Sequence, residues 1–178
     1  MDYKLFRVIN MLSGRCSPID WLMIVISKKI RYVYMFVLIY MWFKNEHYRR
    51  VSSKAMISSG ITLILHALIN LFYFKPRPFV KRRVGILIPS KVNSSFPSKH
   101  TLLSFAVSTS IILYDGVLGS IMRVVSVLTG ISRIWTGHHY PSDIIGSAFI
   151  GSMTSIIVDK TMDTFSRDTP GKKGNSTD

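Results

Sequence analysis

Residues 55–78 read AMISSGITLILHALINLFYFKPRP. No charged residue occurs from Ala55 to Phe74. A helix of that length at 1.5 Å per residue reaches about 30 Å, the thickness of a bilayer's hydrocarbon core. The apolar run then stops against two cations and two prolines, Lys75-Pro76-Arg77-Pro78. A span that ends in a basic, proline-bounded loop predicts a polytopic, all-α membrane bundle.

The same grammar repeats on both sides. Upstream, Leu5, Val8, Ile9 and Leu12 share one face of a helix over residues 2–12, which suits the membrane interface. Residues 13–20 read as a turn, with Asp20 placed to cap the next helix. From Trp21 to Phe43 the only charged residues are Lys28, Lys29 and Arg31, so 20–43 forms either one long span with a charged girdle or a short buried piece and then a span. Residues 44–54 read as a polar, basic loop. Downstream, 75–97 is a long loop holding Pro76, Pro78, Pro89 and Pro97, and spans follow over 98–114, 117–134 and 141–158. The expected fold is a membrane bundle of about five or six helices over residues 1–166, with a polar, disordered tail at 167–178.

Composition agrees. Of the 178 residues, 48% are hydrophobic and 18% charged, with a mean hydropathy of +0.28; soluble domains carry about a quarter charged residues. The net charge of +14 demands an anionic partner. The cations sit in short loops between apolar spans and no nucleic-acid motif occurs, so phosphate groups and lipid headgroups fit better than DNA or RNA. One cysteine, Cys16, excludes an internal disulfide. If the 44–54 loop is cytoplasmic, then 75–97 and 135–141 lie outside. The outer loop is then unusually basic, against the usual bias of positive loops toward the cytoplasm. A phosphate site would account for it.

Three segments meet on that face: Lys75 to Pro78, Phe96 to His100, and SRIWTGHHYPSD from Ser132 to Asp143. Pro141 suits the first turn of a helix, which places Asp143 there too, four residues after His139. The carboxylate is then within reach of one imidazole nitrogen, leaving the other free to attack, with histidine as nucleophile. Arg133 and Arg77 offer forked donors to phosphate oxygens. Pro97 marks another helix start, where the N–H groups of Ser98, Lys99 and His100 form an anion site. His100 is placed to protonate a leaving oxygen.

Arg77-Pro78, Pro97-Ser-Lys-His100, and Ser132-Arg133 through His139 to Asp143 resemble the three-part signature of the type 2 phosphatidic acid phosphatase family, whose core is shared with soluble haloperoxidases. The wording YFKPRPFV and SRIWTGHHYPSD is similar to the family's bacterial undecaprenyl-diphosphate phosphatases, linked to bacitracin resistance. The resemblance implies a phosphohistidine at His139, His100 as acid, Asp143 as orienter, and Arg77, Ser98 and Arg133 on the phosphate, without metal or other cofactor. It implies a polyprenyl diphosphate substrate, a cell-membrane location with an outward-facing site, and is compatible with a homo-oligomer. The family's lysine, seven residues before the arginine, is replaced by Asn70, which leaves Asn70 and Lys75 as candidates for its work.

Other features read as structural. Thr62, His66 and Asn70 form a polar stripe suited to interhelical hydrogen bonds, and Ser147, Gly151 and Ser155 a small-residue stripe for close helix approach. His138 reads as packing, Lys81, Arg82 and Arg83 as headgroup contacts, and Trp21, Trp42 and Trp135 as interfacial anchors. Two rivals remain: a phosphatidic acid or phosphatidylglycerophosphate phosphatase with the same chemistry, and a non-hydrolytic membrane transport component.

Overall fold

The computed structural model describes residues 2–81, 84–89 and 92–168. The described residues form seven helices: α1 (Asp2–Asn10), α2 (Ser17–Lys44), α3 (Glu46–Phe72), α4 (Pro78–Lys81), α5 (Lys99–Ile112), α6 (Gly116–Trp135) and α7 (Pro141–Asp168). Five of them are long, and α4 is a single turn inside the expected 75–97 loop.

The open question at 20–43 resolves as one helix. Pro18 sits in the first turn of α2, and the helix runs 28 residues without a break. Asp20 is therefore inside α2 and does not cap it. Its buried carboxylate turns back to accept from the Gly14 N–H at 3.0 Å and from Trp135 Nε1 at 2.7 Å. This pairing also corrects the reading of Trp135, which is buried, whereas Trp21 and Trp42 are exposed.

The expected loop at 44–54 shrinks to one residue. Asn45 ends α2 and caps α3, its side chain accepting from the Tyr48 N–H at 3.0 Å. Charge misled the reading: Glu, Lys and Arg are good helix formers, and one Asn cap suffices to restart the helix. Lys54, two turns into α3, is buried between Asp159 (2.7 Å) and Asp163 (2.5 Å) of α7, beside the Tyr114 hydroxyl.

α5 is the axis of the bundle, packed against α3, α6 and α7, while α2 closes the outside against α3 and α6. Among the described residues, three helices have the length and composition to cross a membrane: Glu46–Phe72, Gly116–Trp135 and Pro141–Phe165. α5 is not among them. Its 14 residues make only about 21 Å of helix, and its neighbours shield most of its surface from lipid. Shielding explains its hydroxyls. Thr101, Ser104, Ser108, Thr109 and Ser110 are all buried, and each buried hydroxyl must find a partner. Ser110 pairs with Ser155 of α7 at 2.6 Å, and Ser104 O accepts from Ser126 of α6 at 2.9 Å.

The small residues set the spacing. Gly151 leaves no room for a Cβ against the Leu102 carbonyl, and Gly119 none against Ile112. The 147–151–155 stripe does face α5, as its spacing predicts. Buried Tyr34, Met41, Val51, Val107, Ile111 and Met122 fill the half of the bundle around the α2–α3 junction. At the opposite end Phe6 of α1 packs with Ile134 and Tyr140. That end, where α3 and α6 finish and α2, α5 and α7 begin, carries all three sequence segments. Residues 169–178, most of the expected tail, lie outside the described residues, and α7 continues through Asp168.

Candidate active site

The third segment folds as a tight hook between α6 and α7. Thr136 and Gly137 donate their N–H groups to Ser132 O and Ile134 O, and His138 and His139 both donate to Arg133 O, at 3.0 and 3.3 Å. Gly137 makes the hook possible, since its φ of 81° is left-handed and a Cβ would strike Gly85 O. His138 points into the fold, with Nδ1 2.9 Å from the Thr136 hydroxyl and its ring edge-on to Phe79. The packing expected of it is what it does.

His139 is buried. Its Nδ1 donates to the backbone carbonyl of Ser95 at 2.6 Å, which leaves the Nε2 lone pair for the cavity. Asp143, read as the direct partner of that ring, is engaged elsewhere. One carboxylate oxygen accepts from the Tyr140 N–H at 3.0 Å and from Ser95 Oγ at 2.5 Å; the other accepts from Lys75 Nζ at 2.6 Å. The reason is local. Asp143 stands at the third position of α7, where an acidic side chain folds back over the exposed N–H of its own helix start.

Lys75, a candidate for the missing cation, does not line the cavity beside His139. Its ammonium is held by Asp143 and, at 3.4 Å, by Asp2 of α1. Burial works against that charge, but the hydrogen bonds and field of Asp143 and Asp2 win, lifting the Lys75 pKa above its ordinary value. Asp2 also accepts from the N–H and the hydroxyl of Ser142, at 3.0 and 2.5 Å. α1 thus closes over the start of α7.

A cavity of about 520 Å³ opens beside His139, lined among others by Arg77, Lys99, His100, Arg133, His66 and Asn70. Arg77 and Arg133 are both buried. Arg133 is braced by Ser27 of α2, which accepts from Nη1 at 2.6 Å, while its Nε has no hydrogen-bond partner. The Asn70 amide donates to the His66 ring at 3.0 Å, so two residues of the polar stripe face the cavity. Ser98 does not line it. Its N–H is taken by Ser147 Oγ at 2.7 Å, its hydroxyl accepts from Thr101, and the residue is fully buried against α7.

Burial, then the charges of Arg133 and Arg77, push the His139 pKa well below the ordinary 6.5, and the same influences take His138 to about 3. Both rings are neutral at pH 7. A neutral imidazole with one nitrogen tied and the other in a cavity with two arginines has the chemistry to attack an anion held there. No group of three His, Cys, Asp or Glu side chains among the described residues is arranged to hold a metal.

Sequence reasoning found His100, His139 and the two arginines of the cavity. It missed Ser95 and Ser27, gave Ser147 only a packing role, and did not place His66 at the cavity. Hydroxyls announce nothing in a sequence where they are frequent. Only Ser95, one residue before Phe96-Pro97, lay close to a motif.

The family model for the PAP2 superfamily matches residues 52–167. The chain is 38% identical over 151 residues to the undecaprenyl-diphosphatase BcrC of Bacillus subtilis (strain 168), covering 84% of this chain and 78% of that protein. It is 29% identical to the bacitracin transport permease protein BcrC of Bacillus licheniformis, covering 89% and 79%. Among solved structures, Aquifex aeolicus LpxE superposes with a TM-score of 0.77 at 26% identity, over 89% of this chain and 94% of that one.

Proposed function

The chain belongs to the PAP2 superfamily, and from that premise we propose that it hydrolyses undecaprenyl diphosphate to undecaprenyl phosphate and inorganic phosphate, returning the lipid carrier of cell-wall synthesis to use. The observation that carries the reading is His139: Nδ1 is tied to Ser95 O, and the ring lines a cavity shared with Arg77, Arg133, Lys99 and His100. Such a set binds a terminal phosphoryl group and attacks it.

Catalysis proceeds in two displacements. His139 Nε2 forms a bond to the terminal phosphorus while the phosphorus–bridging oxygen bond breaks; His100, whose pKa burial and the charge of Arg133 hold at about 4 in the free enzyme, takes up a proton as the diphosphate anion binds and gives it to the departing lipid phosphate. Water then attacks the phosphohistidine, the N–P bond breaks, and His100 recovers a proton from that water. Arg77, Arg133 and Lys99 hold the charge that spreads over the phosphoryl oxygens; losing one such donor typically costs about 3 kcal/mol of transition-state stabilisation. The site faces the extracytoplasmic side in this reading, and the α2–α3 junction at the other end of the bundle faces the cytoplasm.

Phosphate release from undecaprenyl diphosphate and from phosphatidic acid, measured separately on detergent-purified protein with EDTA present, tests the proposal. Fast turnover of the diphosphate alone supports it. A preference for phosphatidic acid keeps the chemistry and moves the protein to phospholipid metabolism. The name of the Bacillus licheniformis relative, a transport permease protein, keeps a transport reading in view; phosphate release by the native chain equal to that by His139→Ala would favour it.

A further inference from the structure

Ser95 lies outside the three sequence segments that carry the chemistry, yet every polar group it owns is spent around His139. Its N–H donates to Lys75 O at 2.6 Å, its hydroxyl to Asp143 Oδ2 at 2.5 Å, and its carbonyl accepts from His139 Nδ1 at 2.6 Å. Ser95 and Asp143 are both fully buried. The ring closes through Lys75, whose Nζ binds the other oxygen of Asp143 at 2.6 Å. Ser147 adds a brace from behind, donating to Asp143 O at 2.5 Å while receiving the Ser98 N–H.

We infer that Ser95 is the positioning residue of the nucleophile, and that Asp143 steers His139 through Ser95 instead of by touching the ring. The inference rests on the phosphatase reading above. A carbonyl fixes the tautomer of an imidazole as well as a carboxylate does, but it must itself be held. Ser95 lies on a non-helical stretch between α4 and α5. No helical ladder holds its peptide groups; the Asp143 and Lys75 bonds do. When His139 attacks, its ring gains positive charge, and the fixed Ser95 carbonyl dipole, backed by the Asp143 carboxylate, faces that charge without reorganising.

The chemistry also sets what the arrangement is not. A carboxylate bonded directly to the ring nitrogen would make Asp143→Asn damage turnover by selecting the wrong tautomer, an effect of about 10⁴-fold where that geometry exists. Here the tautomer is chosen by a backbone carbonyl, which no side-chain substitution removes. Loss of Asp143 or of the Ser95 hydroxyl then loosens the same element, and the two losses overlap.

The test is steady-state kinetics on purified full-length protein with undecaprenyl diphosphate, comparing Ser95→Ala, Ser95→Thr, Asp143→Asn and the Ser95→Ala/Asp143→Asn double variant. The expected result is a kcat lowered roughly 10- to 100-fold in Ser95→Ala, by analogy with the loss of outer-shell groups that orient metal-binding histidines, with KM within about threefold because Arg77, Arg133 and Lys99 are untouched. Ser95→Thr restores most of the lost kcat. Asp143→Asn falls in the same range as Ser95→Ala, and the double variant is no more than about threefold slower than the worse single one, since coupled residues are not additive. Should Ser95→Ala fail to fold, the isosteric pair Ser95→Thr and Ser95→Val carries the comparison, with valine the slower. Unchanged kcat in Ser95→Ala, equal rates for the Thr and Val forms, or multiplicative losses in the double variant would each overturn the inference. Failure of the phosphatase reading looks different: the native protein itself would release no phosphate from the diphosphate.

Discussion

In the proposed mechanism His139 attacks only as a neutral ring, so the direction of its pKa sets the acid limit of turnover. Burial, Arg133 and Arg77 hold the folded value below the ordinary 6.5. A histidine shifted downward keeps its neutral form as pH falls through 6.5 and loses it only below the shifted value. The acid limb of kcat/KM, measured on the purified enzyme, is therefore expected below pH 6.5. A limb at or above that value would show that the ring is not shielded as the fold places it. At this scale the sequence was most legible where residues cluster in it. His139, His100, Arg77 and Arg133 were each readable from motif spacing. The partner of His139 was not, because Ser95 lies 44 positions away and joins it only through the fold. For the same reason Lys75 looked like a spare cation for the phosphate, when Asp143 and Asp2 already hold it.

Among the elements, α1 and α7 carry the sharpest consequences. Asn10, at the end of α1, donates to Gly85 O at 3.0 Å and to Trp135 O at 3.1 Å, and accepts from the Gly85 N–H at 3.2 Å. One amide thus stitches the interfacial helix to the loop before α5 and to the hook that carries His139. Asn10→Ala removes all three bonds, each worth about 1 kcal/mol net, and if one such loss reaches the transition state turnover slows roughly fivefold. An unchanged kcat would show that α1 does not hold the hook. On α7, Gly151 meets the Leu102 carbonyl of α5. Gly151→Val forces the two helices apart, costing about 1–3 kcal/mol, and the melting midpoint in detergent should fall by roughly 5 °C. Equal melting would mean that the close approach is dispensable. The small-residue stripe was visible in the sequence because its four-residue spacing is a property of the helix itself. The junction at Asn45 was not, since residues 44–54 are polar enough to pass for a loop, and only packing against α2 and α7 shows them to be helix.

For the molecule as a whole, the five long helices put the start of α2 and the end of α7 on opposite faces. Cys16, the only cysteine, is exposed just before α2, at the active-site end. A membrane-impermeant maleimide added to intact cells is expected to label it. Labelling that appears only in inverted vesicles would turn the site to the cytoplasm and remove the carrier-recycling argument. All-helical architecture was legible from apolar block lengths alone, whereas the burial of α5 was not. A short, hydroxyl-rich helix reads as a poor span until its neighbours are seen to wrap it.

The one-residue junction at Asn45 has its counterpart at Leu113–Asp115, between α5 and α6. Together they make the face opposite the active site nearly seamless, with no extended segment among the described residues for a protease to thread into its cleft. On that face the described residues offer a soluble partner helix ends and side chains to hold, with almost no open backbone.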